Sequence, residues 1–224
     1  MVWGIIGALP EEVALLCDAM TMTGQAEHYG STFYSGILEG QQVVVVCCSI
    51  GKVNAALCAS LMLREMGADA VINVGIAGSV DGRLKVLDVV LSTNVAYHDA
   101  EPLMKGYYPF RLDFDADQKL LSLAQRACET LGEFTYYCGR IATGDVFVQG
   151  GPVKDAIVSR LSPMCVEMEG AAIAHAAYVN GKPFLIIRTM SDSADDEAAV
   201  TYDVFKERAA AQSAHIVREM LRLS

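Results

Sequence analysis

Phe184-Leu185-Ile186-Ile187 and Val43-Val44-Val45-Val46 are runs of four apolar side chains with no polar residue between them. Side chains of a strand alternate between its two faces, so a strand apolar at every position has to be covered on both. Such strands belong in the middle of a sheet with helices packed against each side. The rest of the chain supplies those helices. Apolar runs at 2–8, 31–38, 42–49, 70–74, 86–96, 135–142, 164–168 and 184–190 read as strands, and helical patterns fall at 10–22, 52–66, 115–131, 152–161, 169–180 and 201–223. Gly67 and Gly132 stop two helices, Glu39-Gly40 turns a hairpin, and an Asp-x-x-Gln start at Asp115 opens the third helix. One long irregular stretch, 97–114, carries no clear period. The alternation predicts one α/β domain over residues 1–224, a three-layer α/β/α sandwich around a central mixed, largely parallel, twisted sheet.

Composition narrows the function. An apolar fraction of 53% over 224 residues is ample for a continuous core. With 17 basic against 27 acidic residues the net charge is −10, and no block of lysine or arginine interrupts it, so a nucleic-acid backbone would be repelled. The apolar start Met1 to Gly7 lacks a basic leader and runs into Glu11 and Glu12, so it reads as a first strand. No apolar run approaches the roughly 20 residues that cross a bilayer, and a soluble protein without membrane partners is expected. The seven cysteines form no Cys-x-x-Cys pair and suit reduced thiols in the cytoplasm. The four histidines stand far apart, which argues against a metal site. Gly4-x-x-Gly7 lacks the spacing of a dinucleotide fingerprint, so no cofactor is expected.

Chemistry concentrates in Val166-Glu167-Met168-Glu169-Gly170-Ala171-Ala172, where two carboxylates flank a methionine just before an alanine-rich helix. A helix N-terminus stabilises negative charge. Both glutamates are therefore expected to stay ionised, which suits gripping a diol or a cationic sugar better than donating a proton. Taken alone, a Glu-x-Glu at a strand end is more often a pair of solvated acids. Other chemically rich residues also sit at the ends of apolar runs: Gly7-Ala8, Ser49-Ile50-Gly51, Gly75 to Gly78, Gly144-Asp145 and Ser191-Asp192. Ligands of α/β sheets collect beyond strand ends, so these segments are expected to converge on one pocket.

Seven motifs in order carry a family resemblance: Gly4-Ile5-Ile6-Gly7-Ala8 with Glu11-Glu12-Val13, Ser49-Ile50-Gly51-Lys52-Val53-Asn54-Ala55-Ala56, Asn73-Val74-Gly75-Ile76-Ala77-Gly78, Tyr97-His98-Asp99-Ala100, Gly144-Asp145-Val146-Phe147, Val166-Glu167-Met168-Glu169, and Arg188-Thr189-Met190-Ser191-Asp192. Together they resemble the nucleoside phosphorylase and hydrolase superfamily, and within it the 5′-methylthioadenosine/S-adenosylhomocysteine nucleosidases. The resemblance implies a purine/uridine phosphorylase-like fold and cleavage by water of the N-glycosidic bond of a 5′-substituted adenosine. It implies that Asp192 protonates the adenine, that Glu12 orients or deprotonates the attacking water, and that Glu169 accepts hydrogen bonds from the ribose hydroxyls. Met168 would lie along the sugar, Glu167 with Arg188 would support the water site, Phe147 would stack on the base, and the backbone of Val148 would read its edge. Ile50, Ile76, Ala77, Gly78, Tyr107 and Ser191 complete the implied substrate pocket.

The same fold hosts phosphorylases, which usually recruit arginine for phosphate. Here no arginine precedes Arg64, and the first helix offers Glu11 and Glu12 where phosphorylase relatives place a phosphate-binding arginine. Hydrolysis is therefore expected over phosphorolysis. A purine nucleoside phosphorylase and a catalytically silent nucleoside-binding protein are the alternatives. The family's slot for the 5′ substituent draws on the loop after Ala100, partly from a second subunit, so a homodimer is implied. In that loop Tyr107 fits the family pattern, whereas Pro102 and Lys105 depart from it, as Ile76 does elsewhere. A lysine in such a loop is more often solvated than bound to an anionic 5′ group.

Overall fold

The computed structural model describes residues 1–107, 109–195 and 198–224. Ten strands and six α-helices follow one another among these residues. The strands are β1 (Val2–Gly7), β2 (Thr21–His28), β3 (Ser31–Leu38), β4 (Gln41–Cys47), β5 (Ala70–Ser79), β6 (Val89–Tyr97), β7 (Asp113–Asp115), β8 (Tyr136–Thr143), β9 (Cys165–Glu167) and β10 (Phe184–Asp192). The helices are α1 (Pro10–Ala19), α2 (Lys52–Arg64), α3 (Gln118–Leu131), α4 (Gly151–Leu161), α5 (Gly170–Val179) and α6 (Ala198–Leu223).

β1 runs parallel to β4 and β5, and β5 runs parallel to β10. The C-terminal ends of these four strands therefore share one edge of the sheet. β10 also pairs antiparallel with β6, β6 pairs with β8 and β8 with β9. β9 then returns to the end of β5 through Gly78↔Val166 and Ser79↔Cys165. The five strands β5, β10, β6, β8 and β9 thus close a ring, and β1, β4, β3 and β2 continue from β5 as an open wing. This corrects the expected open three-layer sandwich: the mixed sheet curls into a barrel. The reason lies in β5, which extends five residues past the expected end at Val74 and stays buried along its whole length. Its first half pairs with β1 and its tip with β9, and glycines in its second half suit the tight bend of a barrel corner.

Helices cover the sheet as the apolar runs require. α6 packs between α1 and α3 and against β5 and β10, while α2 packs on α5, which lies on β5, β6 and β8. Trp3, Ile5, Val45, Val71, Ile72, Leu91, Ile173, Leu185 and Ile187 belong to one buried cluster. No helix among the described residues is both long and apolar enough to cross a membrane. All seven cysteines are free thiols.

Three elements differ from the sequence reading. β2 was hidden because it is an edge strand, exposed along most of its length and without apolar alternation. The irregular stretch holds a 3-10 turn, Pro102–Gly106, and the short strand β7. α3 is capped by Asp117 rather than Asp115: the Asp117 carboxylate accepts from the amides of Lys119 (2.9 Å) and Leu120 (3.0 Å). Asp115 belongs to β7 and accepts instead from Asn94 Nδ2 at 2.9 Å. Replacing a helix-capping Asp by Ala typically costs about 1 kcal/mol. Asp117→Ala is expected to lower the unfolding free energy by that amount in urea titration, whereas Asp115→Ala should leave α3 intact.

Candidate active site

A cavity of about 480 Å³ opens at the edge where β1, β4, β5 and β10 end. Eleven of the fourteen residues expected at the site line it, namely Glu12, Ile50, Ile76, Ala77, Gly78, Phe147, Glu167, Met168, Glu169, Ser191 and Asp192. Arg188 lies directly behind the lining, fully buried. Val148 is buried in a small apolar cluster with Ala142, Ile157, Val166 and Ala194, so its side chain backs the wall. Tyr107 is set apart: it is 68% exposed at the end of the 3-10 turn and does not line the cavity of its own chain. That turn buries none of its residues, Lys105 included, and nothing draws it towards the cavity.

Glu12 is placed by helix-capping chemistry. Pro10 starts α1 at a position where its missing N–H costs nothing, and Glu12 turns back to collect free amides of the helix start. Its Oε2 accepts from Ala8 N (2.6 Å) and Leu9 N (2.9 Å), and its Oε1 accepts from Ile76 N at 3.1 Å. Burial raises its pKa, opposed by Arg188 and by these three amides. Gly75 makes the approach possible. A Cβ there would fall 2.5 Å from Glu12 Oε1 and 3.1 Å from Arg188 Nη1.

The two glutamates of the Glu-x-Glu pair divide the work that the sequence assigned to both. Glu167 takes the helix end: its Oε2 accepts from Glu169 N (3.0 Å) and Gly170 N (2.7 Å) and pairs with Arg188 Nη2. Its Oε1 accepts from the Thr143 hydroxyl, which in turn accepts from Ala171 N at 2.8 Å. Glu169 receives one amide, Gly51 N at 2.8 Å, and stands 3.8 Å from Arg188 Nη2. Burial and the nearby Glu167 raise the Glu169 pKa to about 8. This corrects the expectation that both stay ionised, because one helix N-terminus and one guanidinium serve Glu167 first.

Asp192 sits at the tip of β10 and is buried. Its Oδ2 accepts from the Ser191 hydroxyl (2.8 Å) and its Oδ1 from Ala194 N (2.8 Å). Burial raises its pKa, opposed by those two donors. Gly78 lets it come close, since a Cβ there would meet Asp192 Oδ1 at 2.8 Å. Phe147 forms an aromatic wall with Tyr202 of α6, their rings edge to face at 5.8 Å. The site therefore offers a carboxyl that favours its proton, a second polar carboxyl in an apolar cleft, an aromatic face, and a carboxylate beside a guanidinium.

Sequence reasoning missed Leu9, Ala199, Tyr202 and Asp203 as lining residues, and it held Ala8 and Val166 only as members of the segments that converge there. The three from α6 carry no local signal, because a helix start reads as surface. Asn73 and Thr143, which touch Arg188 and Glu167, did leave a trace. Each is a polar residue at or inside a buried apolar strand, and such a residue needs partners.

The whole chain is also similar to known proteins. A family model described as the phosphorylase superfamily matches residues 3–222. The chain is 40% identical to the 5′-methylthioadenosine/S-adenosylhomocysteine nucleosidase of Exiguobacterium sp., across 96% of this chain and 94% of that one. It is 38% identical to the nucleosidase of the same name from Chromohalobacter salexigens, across 97% and 95%. The crystal structure of the Neisseria meningitidis nucleosidase in complex with methylthio-immucillin-A superposes with a TM-score of 0.95 at 36% identity, covering 100% of this chain and 99% of that one.

The raised carboxyls set a direction for stability. An unfolded chain ionises its carboxyls near pH 4, whereas Glu12, Glu169 and Asp192 hold their protons to higher pH when folded. Their contribution is complete below about pH 4 and is lost as pH rises through the folded values, about 8 for Glu169. The depressed carboxyls Glu39, Asp69, Asp81 and Asp99 contribute fully above about pH 4 and lose that contribution only as the pH falls below it. Below about pH 6.5 the buried His98 and the half-buried His175, whose pKa values are lowered, oppose this slope; from about pH 6.5 to about pH 8 the melting temperature is expected to fall, and Glu169→Gln should flatten that fall.

Proposed function

Because the chain belongs to the phosphorylase superfamily, and within it to the 5′-methylthioadenosine/S-adenosylhomocysteine nucleosidases, we propose that its cavity binds a 5′-substituted adenosine and splits off adenine with water. The bond between C1′ of the ribose and N9 of the base breaks, and its electron pair leaves with the purine. Asp192 gives its proton to N7 of that purine, which burial of the carboxyl favours. Water attacks C1′ and passes a proton to Glu12. The products are adenine and the 5′-modified ribose.

The observation that carries the reading is the close approach of Glu12 and Arg188 to one another over Gly75. Glu12 Oε1 and Arg188 Nη1 both reach the point that a side chain would fill there. A carboxylate has about four lone-pair positions, and three on Glu12 are taken by amides. One remains for a water hydrogen, while the guanidinium faces the water oxygen. Glu169 and Met168 hold the ribose, and a carboxyl there can both accept from and donate to a diol. Phe147 stacks on the base, and the backbone of Val148 reads its edge. Ile50, Ile76, Ala77, Gly78 and Ser191 shape the remaining walls.

Water rather than phosphate fits the charges. None of the described residues lining the cavity is a lysine or arginine, and Arg188 is held by Glu167. A phosphate dianion would meet the Glu12 carboxylate. The 5′ substituent lies towards the mouth, where Tyr107 of a second copy of the chain completes the slot. Exposed Leu103, Met104 and Tyr107 on one turn support such a homodimer. Residues 1–224 act as one domain in the cytoplasm, where the free thiols stay reduced and the reaction serves methionine salvage.

Adenine release from methylthioadenosine and S-adenosylhomocysteine is expected at equal rates with and without phosphate. Release that requires phosphate would replace hydrolysis by phosphorolysis, and binding without release would leave a silent nucleoside binder. Asp192→Asn should lower kcat by about 10²- to 10⁴-fold, the usual weight of general acid catalysis. Gly75→Ala drives a methyl group into the Glu12 carboxyl and is expected to abolish release in a chain whose circular dichroism is unchanged.

A further inference from the structure

Arg188 carries five N–H groups, and their distribution is unusual for an arginine facing a carboxylate. The default is a two-pronged pair, with parallel N–H bonds to both oxygens. Here Glu167 receives a single N–H, from Nη2. Its other oxygen is taken by Thr143, and the oxygen that meets Arg188 is shared with two amides of the α5 start. The second Nη2 hydrogen goes to Asn73 Oδ1. Nη1 gives one bond to the carbonyl of Ile187 at 3.2 Å and stands, with Glu12 Oε1, over Gly75.

Asn73 is fully buried in the otherwise apolar first half of β5. Its own amide donates to the carbonyl of Ile6 at 2.8 Å. Ile6 precedes Gly7-Ala8-Leu9, and the amides of Ala8 and Leu9 hold Glu12. One side chain therefore ties the guanidinium on β10 to the strand end that aims the carboxylate.

We propose that Asn73 is a positioning residue of the reaction, fixing the plane of the Arg188 guanidinium so that Nη1 faces the attacking water instead of turning to pair twice with Glu167. The inference rests on the hydrolytic reading above and adds a residue to it. Without Asn73 the guanidinium is free to rotate onto Glu167, and Glu12 loses its nearest positive charge. Glu169 at the head of α5, Cys47 and Cys48 at the end of β4, and Tyr202 on α6 also face Glu12. None of them supplies a cation, so Glu12 would ionise only at higher pH.

The test compares adenine release by the wild-type chain, Asn73→Leu and Asn73→Asp as a function of pH, with the melting temperature of each. Asn73→Leu keeps the number and branching of the side-chain heavy atoms and removes both bonds. Its kcat is expected to fall by about 100-fold, the scale of a misplaced catalytic group, with KM changed little and the ascending limb of the kcat profile moved to higher pH. Asn73→Asp when protonated offers the same acceptor to Arg188 and the same donor to Ile6. The ratio of its kcat to that of wild type should therefore fall by about tenfold between about pH 5.5 and pH 8. A limb that stays in place for Asn73→Leu, whatever its kcat or melting temperature, overturns the proposal. Should Asn73→Leu fail to fold, a pH-independent ratio for Asn73→Asp does the same. A wild-type chain that releases no adenine sinks the hydrolytic reading itself, and the positioning role with it.

Discussion

One buried positive charge organises the centre of this molecule. The guanidinium of Arg188 is almost wholly shielded from solvent, and a charge so placed is tolerated only where anions and hydrogen-bond acceptors surround it. Glu167 pairs with it, Asn73 and the Ile187 carbonyl accept from it, and Glu169 and Glu12 lie within its field. These partners come from β5, β9, β10 and the starts of α1 and α5. Satisfying a single cation thus fixes how the strand ends approach one another, and that approach makes the cavity.

The carboxyl groups around this cation behave differently because its compensation is unequal. Glu167 has the ion pair, two amides and a hydroxyl. Glu169 has one amide and a more distant guanidinium, so burial dominates and its proton is held to about pH 8. Asp192 lies farther along β10, where burial outweighs a hydroxyl and an amide. Burial thus leaves Glu169 and Asp192 holding protons that exposed carboxyls would lose, which is what a reaction needs if a carboxyl is to donate one.

Barrel closure is the geometric counterpart. A flat sheet would carry β9 far from β10, and Glu167 could not reach Arg188. The return of β9 to the tip of β5 brings them together. The glycines at 75 and 78 matter for the same reason. Each leaves a strand without a Cβ at a point that a carboxyl group occupies, Glu12 over Gly75 and Asp192 over Gly78.

The sequence by itself determined the α/β alternation and most element positions, because buried strands are apolar on both faces, and it marked lining residues such as Ile50, Gly78, Glu169 and Asp192 where those strands end, while Glu12 and Phe147 came only through the family resemblance. It also carried the nucleosidase resemblance through motifs in fixed order. It could not show β2, whose polar edge carries no period, nor the closure of the sheet, which depends on pairing between residues as distant as Ser79 and Cys165. Tyr202 and Asn73 escaped for related reasons: a side chain on an outer helix and an amide inside a strand acquire roles only from neighbours far away in the chain. The resemblance had set Glu167 beside Arg188, but tertiary structure alone decided that Glu167 also takes the helix end and leaves Glu169 the poorer share, because electrostatic compensation is set by distance in space and local order leaves it open.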